Sequence, residues 1–143
     1  MKVYKRLKDP IYGYIQVPIE YMTGIVDTAV FQRLRRIIQT SYSPLYSSAV
    51  HNRFVHSLGV YHLGTIAAKA LCREAYNILE IEDIVLKGLY RVFVLACLLH
   101  DVGHAPFSHT GEKLYLGESG NSSYTHIHQM LSDEVATERF RRD

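Results

Sequence analysis

The sequence predicts an all-α helical bundle with a small N-terminal β-hairpin or arm. Residues 92–99 form an unbroken apolar run, and upstream of it apolar residues recur at helical spacing. Residues 2–18 differ because they are rich in aromatic and β-branched side chains and are broken by Asp9, Pro10 and Gly13. That pattern is typical of a short hairpin rather than of a helix.

Four helical segments are predicted after the hairpin. The first lies within residues 30–38, with Val30, Phe31, Leu34, Ile37 and Ile38 on one face and the arginines largely off it. A long helix should begin near His51, and a strongly apolar helix over residues 82–99 should be buried. A last amphipathic helix should follow a polar loop at residues 117–123. The buried face of the long helix is predicted to consist of Phe54, Leu58, Ile66, Ala67, Ala70 and Leu71.

Composition predicts a globular cytoplasmic protein. The chain has 143 residues, 48% of them hydrophobic and 21% charged, and its longest apolar stretch is far too short to span a membrane. Cys72 and Cys97 lie in apolar helical patterns, where we expect them to be buried packing residues. Residues 1–39 carry a net charge of +4, which would attract a nucleotide or nucleic acid, although an excess of this size is usually a solvated face.

Histidines cluster around the apolar helix. His100 and Asp101 follow it directly, and six of the eight histidines flank or follow it. An imidazole and a carboxylate beside a core are costly unless they are paired, and a divalent cation satisfies both. Metal binding is therefore the first hypothesis. The alternative, an exposed helix end where both groups meet water, would be preferred for an isolated pair.

Three sequence strings carry a family resemblance. They are FQRLR at residues 31–35, HNRFVHSLGV at residues 51–60 and HDVGHAPFSH at residues 100–109. Their order and spacing resemble the HD-domain metal-dependent phosphohydrolases, most closely the deoxynucleoside triphosphate triphosphohydrolase branch that includes the SAM-and-HD-domain proteins. The resemblance implies an N-terminal arm or hairpin with a short helix over residues 1–29. It implies an HD domain, incomplete at its C-terminus, over residues 30–143.

The resemblance also implies a metal centre. His56, His100 and Asp101 match three of the family's four ligands, and the fourth, an aspartate, is expected beyond residue 143. Mixed histidine and carboxylate ligation suits Mn, Fe, Zn, Ni or Co, with Mg as an additional ion, and the sequence does not choose among them.

Further site residues follow from the same resemblance. His104 is expected near the metal and on a substrate phosphate, and His109 with Glu112 would form a general acid pair, although such a pair is also common on exposed helices. His128 matches a family histidine, with His126 as a competing candidate.

Arg53 lies three residues before His56, so it would share a helical face with it and bind a phosphate held by the metal; a surface salt bridge is the alternative. Gln39 matches a substrate-contacting glutamine of the family. Asp27, Gln32 and Arg35 match positions that bind an activating nucleotide in the SAM-and-HD-domain protein, although the FQRLR string by itself also fits packing and helix surface.

The predicted function is hydrolysis of a deoxynucleoside triphosphate (dNTP) to the deoxynucleoside and triphosphate, by a protein that is expected to form homo-oligomers. A phosphodiesterase or phosphomonoesterase acting on another nucleotide is the enzyme alternative, because the metal site hardly specifies the leaving group. A third hypothesis is a regulatory module that binds a nucleotide or nucleic acid without turnover. Gln129, which stands where the family usually has glutamate, is the only feature of the sequence that favours it.

Overall fold

A computed structural model describes residues 3–39, 45–48, 50–79 and 81–104 of the chain. In this part, a β-hairpin and a series of short helical turns precede two long helices, which confirms the predicted fold class. The predicted last helix and the loop at residues 117–123 lie outside the described residues. The elements are β1 (Tyr4–Asp9), β2 (Gly13–Pro18), α1 (Ile19–Tyr21), a π-helical turn (Met22–Val26), α2 (Ala29–Gln32), a 3-10 turn (Arg33–Arg36), α3 (Arg53–Leu79) and α4 (Asp83–Leu99).

The hairpin forms as predicted. Strands β1 and β2 pair antiparallel, with Asp9 opposite Gly13 next to the turn. The turn is held by Asp9 Oδ1, which accepts hydrogen bonds from the backbone N–H groups of Ile11 (2.8 Å) and Tyr12 (2.9 Å). Gly13 has a φ of 73°, a conformation that favours glycine. Alternation along β2 buries Ile15 and Val17, which join the main core.

The first predicted helix is shorter than expected. Only α2 is α-helical, the chain tightens into the 3-10 turn, and Ile37 is already extended (φ −109°, ψ 111°). The Ile37 carbonyl then accepts a hydrogen bond from Arg53 N (2.8 Å), which ties the segment to the start of α3. Phe31, Leu34 and Ile37 are buried as predicted, but Ile38 is exposed because the helical periodicity has ended before it.

The bounds of the two long helices agree closely with the prediction, but their buried faces do not. Ile66 and Leu71 of α3 are 54% and 62% exposed, and Val92 of α4 is 67% exposed. The apolar run is therefore not a buried helix along its whole circumference, because only one face of each helix packs on the other within the described residues. The buried positions on the two helices include Phe54, Leu58, Tyr61, Ala68, Leu86, Val94, Leu98 and Leu99.

The helices α3 and α4 are antiparallel neighbours in close contact. Cys97 of α4 lies directly over Gly64 of α3, and at the other end Cys72 Sγ is 3.7 Å from the Leu86 carbonyl. Both cysteines are half-buried rather than fully buried, since they lie at the margin of this contact. Antiparallel packing brings the start of α3 to the end of α4. No helix within the described residues is long and apolar enough to cross a membrane.

Replacing Gly64 with alanine should destabilise the protein. A Cβ atom at this position would lie 2.6 Å from Cys97 Sγ and 3.0 Å from Cys97 Cβ, so either the Cys97 side chain or the two helices would have to shift. We expect a loss of about 1–3 kcal/mol in the free energy of unfolding, measured by urea denaturation. Gly88→Ala is the matched control, because a Cβ there meets no atom within 4 Å. Equal effects of the two substitutions would contradict the close approach.

Tyr61 should make the fold sensitive to alkali. Its side chain is buried and donates a hydrogen bond to the Gln16 carbonyl (3.3 Å), and burial raises its pKa to about 12. Because the phenol ionises near pH 10 in the unfolded chain, the contribution of Tyr61 to the free energy of unfolding should be fully present below pH 10. It should fall by up to about 3 kcal/mol towards pH 12. Between pH 9 and 12, the free energy of unfolding should fall less steeply with pH in Tyr61→Phe than in the wild-type protein. Parallel pH dependences of the two proteins would refute this role.

Candidate metal centre

Three predicted ligands converge where the start of α3 meets the end of α4. His56 lies in the first turn of α3, and His100 and Asp101 follow the last residue of α4. His56 Nε2 is 3.3 Å from His100 Nε2 and 3.6 Å from Asp101 Oδ2, and His100 Nε2 is 3.4 Å from Asp101 Oδ1. One ligand atom from each residue can be chosen so that all three lie within 4.8 Å of one another.

This donor set fits a divalent cation. Ligand atoms at about 2.1 Å from a tetrahedral ion are about 3.4 Å apart, which is close to the separations between these side chains. Two imidazole nitrogens and a carboxylate oxygen suit the first-row transition metals, so the donor set agrees with the predicted group of ions. The described residues therefore include three side chains that could hold a metal ion.

His100 is held in the tautomer that a metal ligand needs. Its Nδ1 is 2.9 Å from the carbonyl oxygen of Cys97, one turn earlier in α4. Because a carbonyl only accepts, Nδ1 must carry the hydrogen and the neutral ring has its lone pair on Nε2. That nitrogen is the one that faces His56 and Asp101. A contact of this kind, outside the ligand set, orients the ring.

Asp101 is an ionised carboxylate in a buried position, 4% exposed. Its Oδ2 pairs with Arg53 Nη1 at 2.6 Å, and its Oδ1 lies 3.3 Å from His104 Nε2. Burial by itself raises the pKa of Asp101, but the hydrogen bond from His104 and the charges of His100 and Arg53 outweigh it. The pKa of this carboxyl therefore lies well below its usual range, and the group is anionic at neutral pH.

His56 is neutral for a different reason. Burial lowers the pKa of its imidazole, the nearby charge of Asp101 opposes that effect, and the charges of His100 and Arg53 lower the pKa further. The net shift is downward, so the ring has a free lone pair at neutral pH. Metal ligands must be deprotonated, and His56 meets that condition before any ion binds.

The structure places Arg53 and His104 on Asp101. Both side chains are buried, and each contacts a different carboxylate oxygen. The predicted contacts of Arg53 and His104 with a substrate phosphate stay predictions. Gln39 lies close to the start of α3, where its backbone N–H donates a hydrogen bond to the His51 carbonyl (3.1 Å). Its Oε1 is buried and has no hydrogen-bond partner among the described residues, so its predicted contact with substrate also stays a prediction.

The remaining predicted residues fall into two groups. His109, Glu112 and His128 lie outside the described residues, and so does the competing His126. Gln32 and Arg35, predicted to bind an activating nucleotide, contact each other through Arg35 Nε and Gln32 Oε1 (2.7 Å). Gln32 Nε2 also donates a hydrogen bond to the Val26 carbonyl (2.7 Å), and the Arg35 guanidinium lies 3.5 Å from the centre of the Phe54 ring. Asp27 is exposed.

Sequence reasoning missed Arg33. Its guanidinium donates to the carbonyl oxygens of Val102 (2.5 Å) and His104 (2.6 Å), which belong to the turn that carries Asp101. The periodicity of residues 30–38 had placed this arginine off the buried face. No local signal could have shown these contacts, because the partners are 69 and 71 residues away along the chain.

Comparisons with known proteins agree with this geometry. Residues 53–143 match the family model described as the HD domain. The chain is 36% identical over 119 residues to the uncharacterized protein YwfO of Bacillus subtilis, which covers 78% of the chain and 24% of YwfO. It is 40% identical over 107 residues to the deoxynucleoside triphosphate triphosphohydrolase SAMHD1 of Homo sapiens, which covers 73% of the chain and 16% of that protein.

A solved structure and a further relative show the same likeness. The crystal structure of a phosphohydrolase from Bacteroides thetaiotaomicron superposes with a TM-score of 0.73 at 34% identity, covering 95% of this chain and 32% of that one. A SAMHD1 homolog from Dictyostelium discoideum is 36% identical over 127 residues, which are 88% of the chain and 23% of that protein. The chain thus spans about a quarter or less of the length of these curated relatives.

Replacing Arg53, the ion-pair partner of Asp101, should strongly destabilise the metal-free protein. The Arg53–Asp101 pair is buried, with side chains 5% and 6% exposed, so Arg53→Met would leave a buried carboxylate without its cation. We expect a loss of about 3 kcal/mol or more in the free energy of unfolding, measured in urea with EDTA present. Restoring part of the loss with Arg53→Met/Asp101→Asn would show that the uncompensated charge is its cause.

Lys87→Met is the control for this experiment. Lys87 also forms an ion pair, with Asp83 on α4, but both side chains are about two-thirds exposed. Exposed pairs contribute little because water screens the charges, so the control should change stability by less than about 1 kcal/mol. If Arg53→Met and Lys87→Met lowered the free energy of unfolding equally, Arg53 would not be the cation that stabilises buried Asp101.

Proposed function

The chain belongs to the HD domain family, and from that premise we propose that its protein is a metal-dependent phosphohydrolase that hydrolyses dNTPs to deoxynucleoside and triphosphate. The observation that carries the proposal is the convergence of the side chains of His56, His100 and Asp101 at the junction of α3 and α4. The structural likeness to a phosphohydrolase supports the reaction class, and the triphosphohydrolase relatives support the substrate class.

His56, His100 and Asp101 would hold the cation, which we propose to be Mn, Fe, Zn, Ni or Co, with Mg as an additional ion. When bound, such an ion supplies Lewis-acid polarisation of a phosphoryl oxygen and lowers the pKa of water. The protein's own contribution is to keep the ligands in place. Asp101 is already ionised, His56 is already neutral, and His100 is fixed by the Cys97 carbonyl.

The reaction we propose is attack of water on the α-phosphorus. The new bond joins the water oxygen to phosphorus, and the bond from phosphorus to the 5′ oxygen of the nucleoside breaks. That oxygen takes up a proton, and the attacking water gives up a proton to solvent. We propose His109, oriented by Glu112, as the source of this proton, with His104 and His128 as further catalytic residues. A general acid of this kind typically contributes 10²–10⁴-fold in rate.

Arg53 is the proposed phosphate-binding residue nearest to the ligands. Its guanidinium already lies on the carboxylate of Asp101, so a phosphate bound at the cluster would lie within reach of the same cation. The fork of N–H donors suits a bidentate contact with phosphate oxygens. We propose Gln39, whose buried amide oxygen has no described partner, as a second substrate contact.

Other properties belong to the proposal as well. Asp27, Gln32 and Arg35 are proposed to bind an activating nucleotide, and the protein is proposed to be a cytoplasmic homo-oligomer. The enzyme alternative, cleavage of another nucleotide ester, differs in its products. Nucleic-acid binding has no support among the contacts of the described residues.

Metal content and products test the proposal together. The protein purified without chelator should retain a divalent metal near one ion per chain, and His100→Ala should lose most of it. His62→Ala should retain the metal, because His62 lies against the Tyr12 ring and not in the cluster. With dNTPs and Mn²⁺, chromatography should show deoxynucleoside and triphosphate.

The outcomes separate the hypotheses. Release of single phosphate would contradict the triphosphohydrolase and favour the enzyme alternative. Bound metal without turnover of any of the four dNTPs would contradict the dNTP reaction and favour a binding module. Absence of metal from the wild-type chain would contradict metal binding by His56, His100 and Asp101 without the fourth ligand.

A further inference from the structure

We propose that Arg33 is a positioning residue for the metal centre, acting by fixing the backbone turn that carries Asp101. Its two terminal nitrogens hold the carbonyl oxygens of Val102 and His104, on either side of the buried Gly103. Arg33 itself is half-buried and belongs to the 3-10 turn, an element distant in sequence from the turn that it holds.

Within the described residues, the backbone hydrogen bonds of the turn after α4 are short-range. Val102 N donates to the Leu99 carbonyl (3.0 Å), and His104 N donates to the Asp101 carbonyl (3.1 Å). Such bonds close the turn locally but do not fix its position relative to α3, which carries His56. The Arg33 bonds join the turn to a separate part of the fold.

The element that carries Arg33 is firmly attached to α3. Phe31 and Leu34, on either side of Arg33, are fully buried in the main core, and the Ile37 carbonyl accepts a hydrogen bond from Arg53 N. The same short segment is therefore bound to the start of α3 and, through Arg33, to the end of α4. The segment thereby fixes the distance between His56 at the start of α3 and Asp101 after the end of α4.

Arginine is chemically suited to this role, and lysine is not. The guanidinium presents N–H donors in a rigid planar fork, so it can hold two carbonyl oxygens at once, whereas an ammonium group is a flexible point charge. Val102 and His104 follow the end of α4 closely, and a cation near the C-terminal end of a helix is favourable because the helix dipole is negative there.

Loss of this contact should weaken metal binding through displacement of Asp101. The Val102 carbonyl directly follows Asp101, and His104, whose carbonyl is the other acceptor, contacts Asp101 through its side chain. Groups that orient ligands typically change metal affinity 10–100-fold when they are replaced. This consequence rests on the proposed metal-dependent function, whereas the effect of Arg33 on the turn does not.

The test compares Arg33→Lys with Arg36→Lys. Arg36 is an exposed arginine on the same 3-10 turn, so the control makes the same chemical change without the two carbonyl contacts. Mn²⁺ affinity, measured from the EPR signal of free Mn²⁺, should fall by about tenfold or more in Arg33→Lys and stay within about twofold of wild type in Arg36→Lys.

Hydrogen exchange of the metal-free protein gives a second, independent readout. Backbone amides of residues 99–104 should exchange faster in Arg33→Lys, while those in the middle of α3 and α4 should be unchanged. Unchanged exchange at residues 99–104 would overturn the inference, and so would an equal loss of Mn²⁺ affinity in Arg36→Lys. If wild-type protein binds no Mn²⁺, the proposed function fails, and exchange at residues 99–104 alone decides the role of Arg33.

Discussion

The buried carboxylate of Asp101 is the group on which the arrangement of the site depends. Leaving an ionised carboxylate in a dry position costs several kcal/mol unless charges and hydrogen bonds compensate for it. Arg53 and His104 provide that compensation from two sides, and His56 and His100 lie against the same group. Stability and chemistry are thus joined, because the interactions that make burial of Asp101 tolerable also keep it available as an anionic ligand.

Helix packing places this carboxylate. Close approach of α3 and α4 at Gly64 and Cys97 sets the separation of the two helices, and their antiparallel direction brings His56 to the end of α4. The segment between the hairpin and α3 adds the other constraint through Arg33 and the Ile37 carbonyl. Two hydrogen-bonded connections and one helix contact therefore define where the three ligands meet.

Local chemistry made much of this predictable. A hairpin with Asp9 and Gly13 at its turn and a helix that ends at Leu99 follow from short-range preferences, and the structure has both. The three ligands were predicted from the family resemblance, and the structure brings these residues together. The exposed faces at Leu71 and Val92 were not predictable, because periodicity shows that a residue is apolar and not whether another element covers it.

Long-range contacts account for what the sequence could not show. Arg53 was predicted to bind a phosphate. Its pairing with the carboxylate of Asp101, 48 residues later, depends on how α3 packs against α4. The fork of Arg33 on two backbone carbonyls leaves no trace in the sequence, since any residue offers a carbonyl. In each case the missing information was the relative placement of distant elements.

The most direct test of the central claim is to locate the metal itself. Crystals of the protein grown with Mn²⁺ should give one strong anomalous difference peak at the manganese edge, within bonding distance of Nε2 of His56, Nε2 of His100 and the carboxylate of Asp101. The contacts of Arg53 and Arg33 would then be visible around an occupied site. A peak elsewhere, or no peak at a Mn²⁺ concentration that supports turnover, would contradict the account.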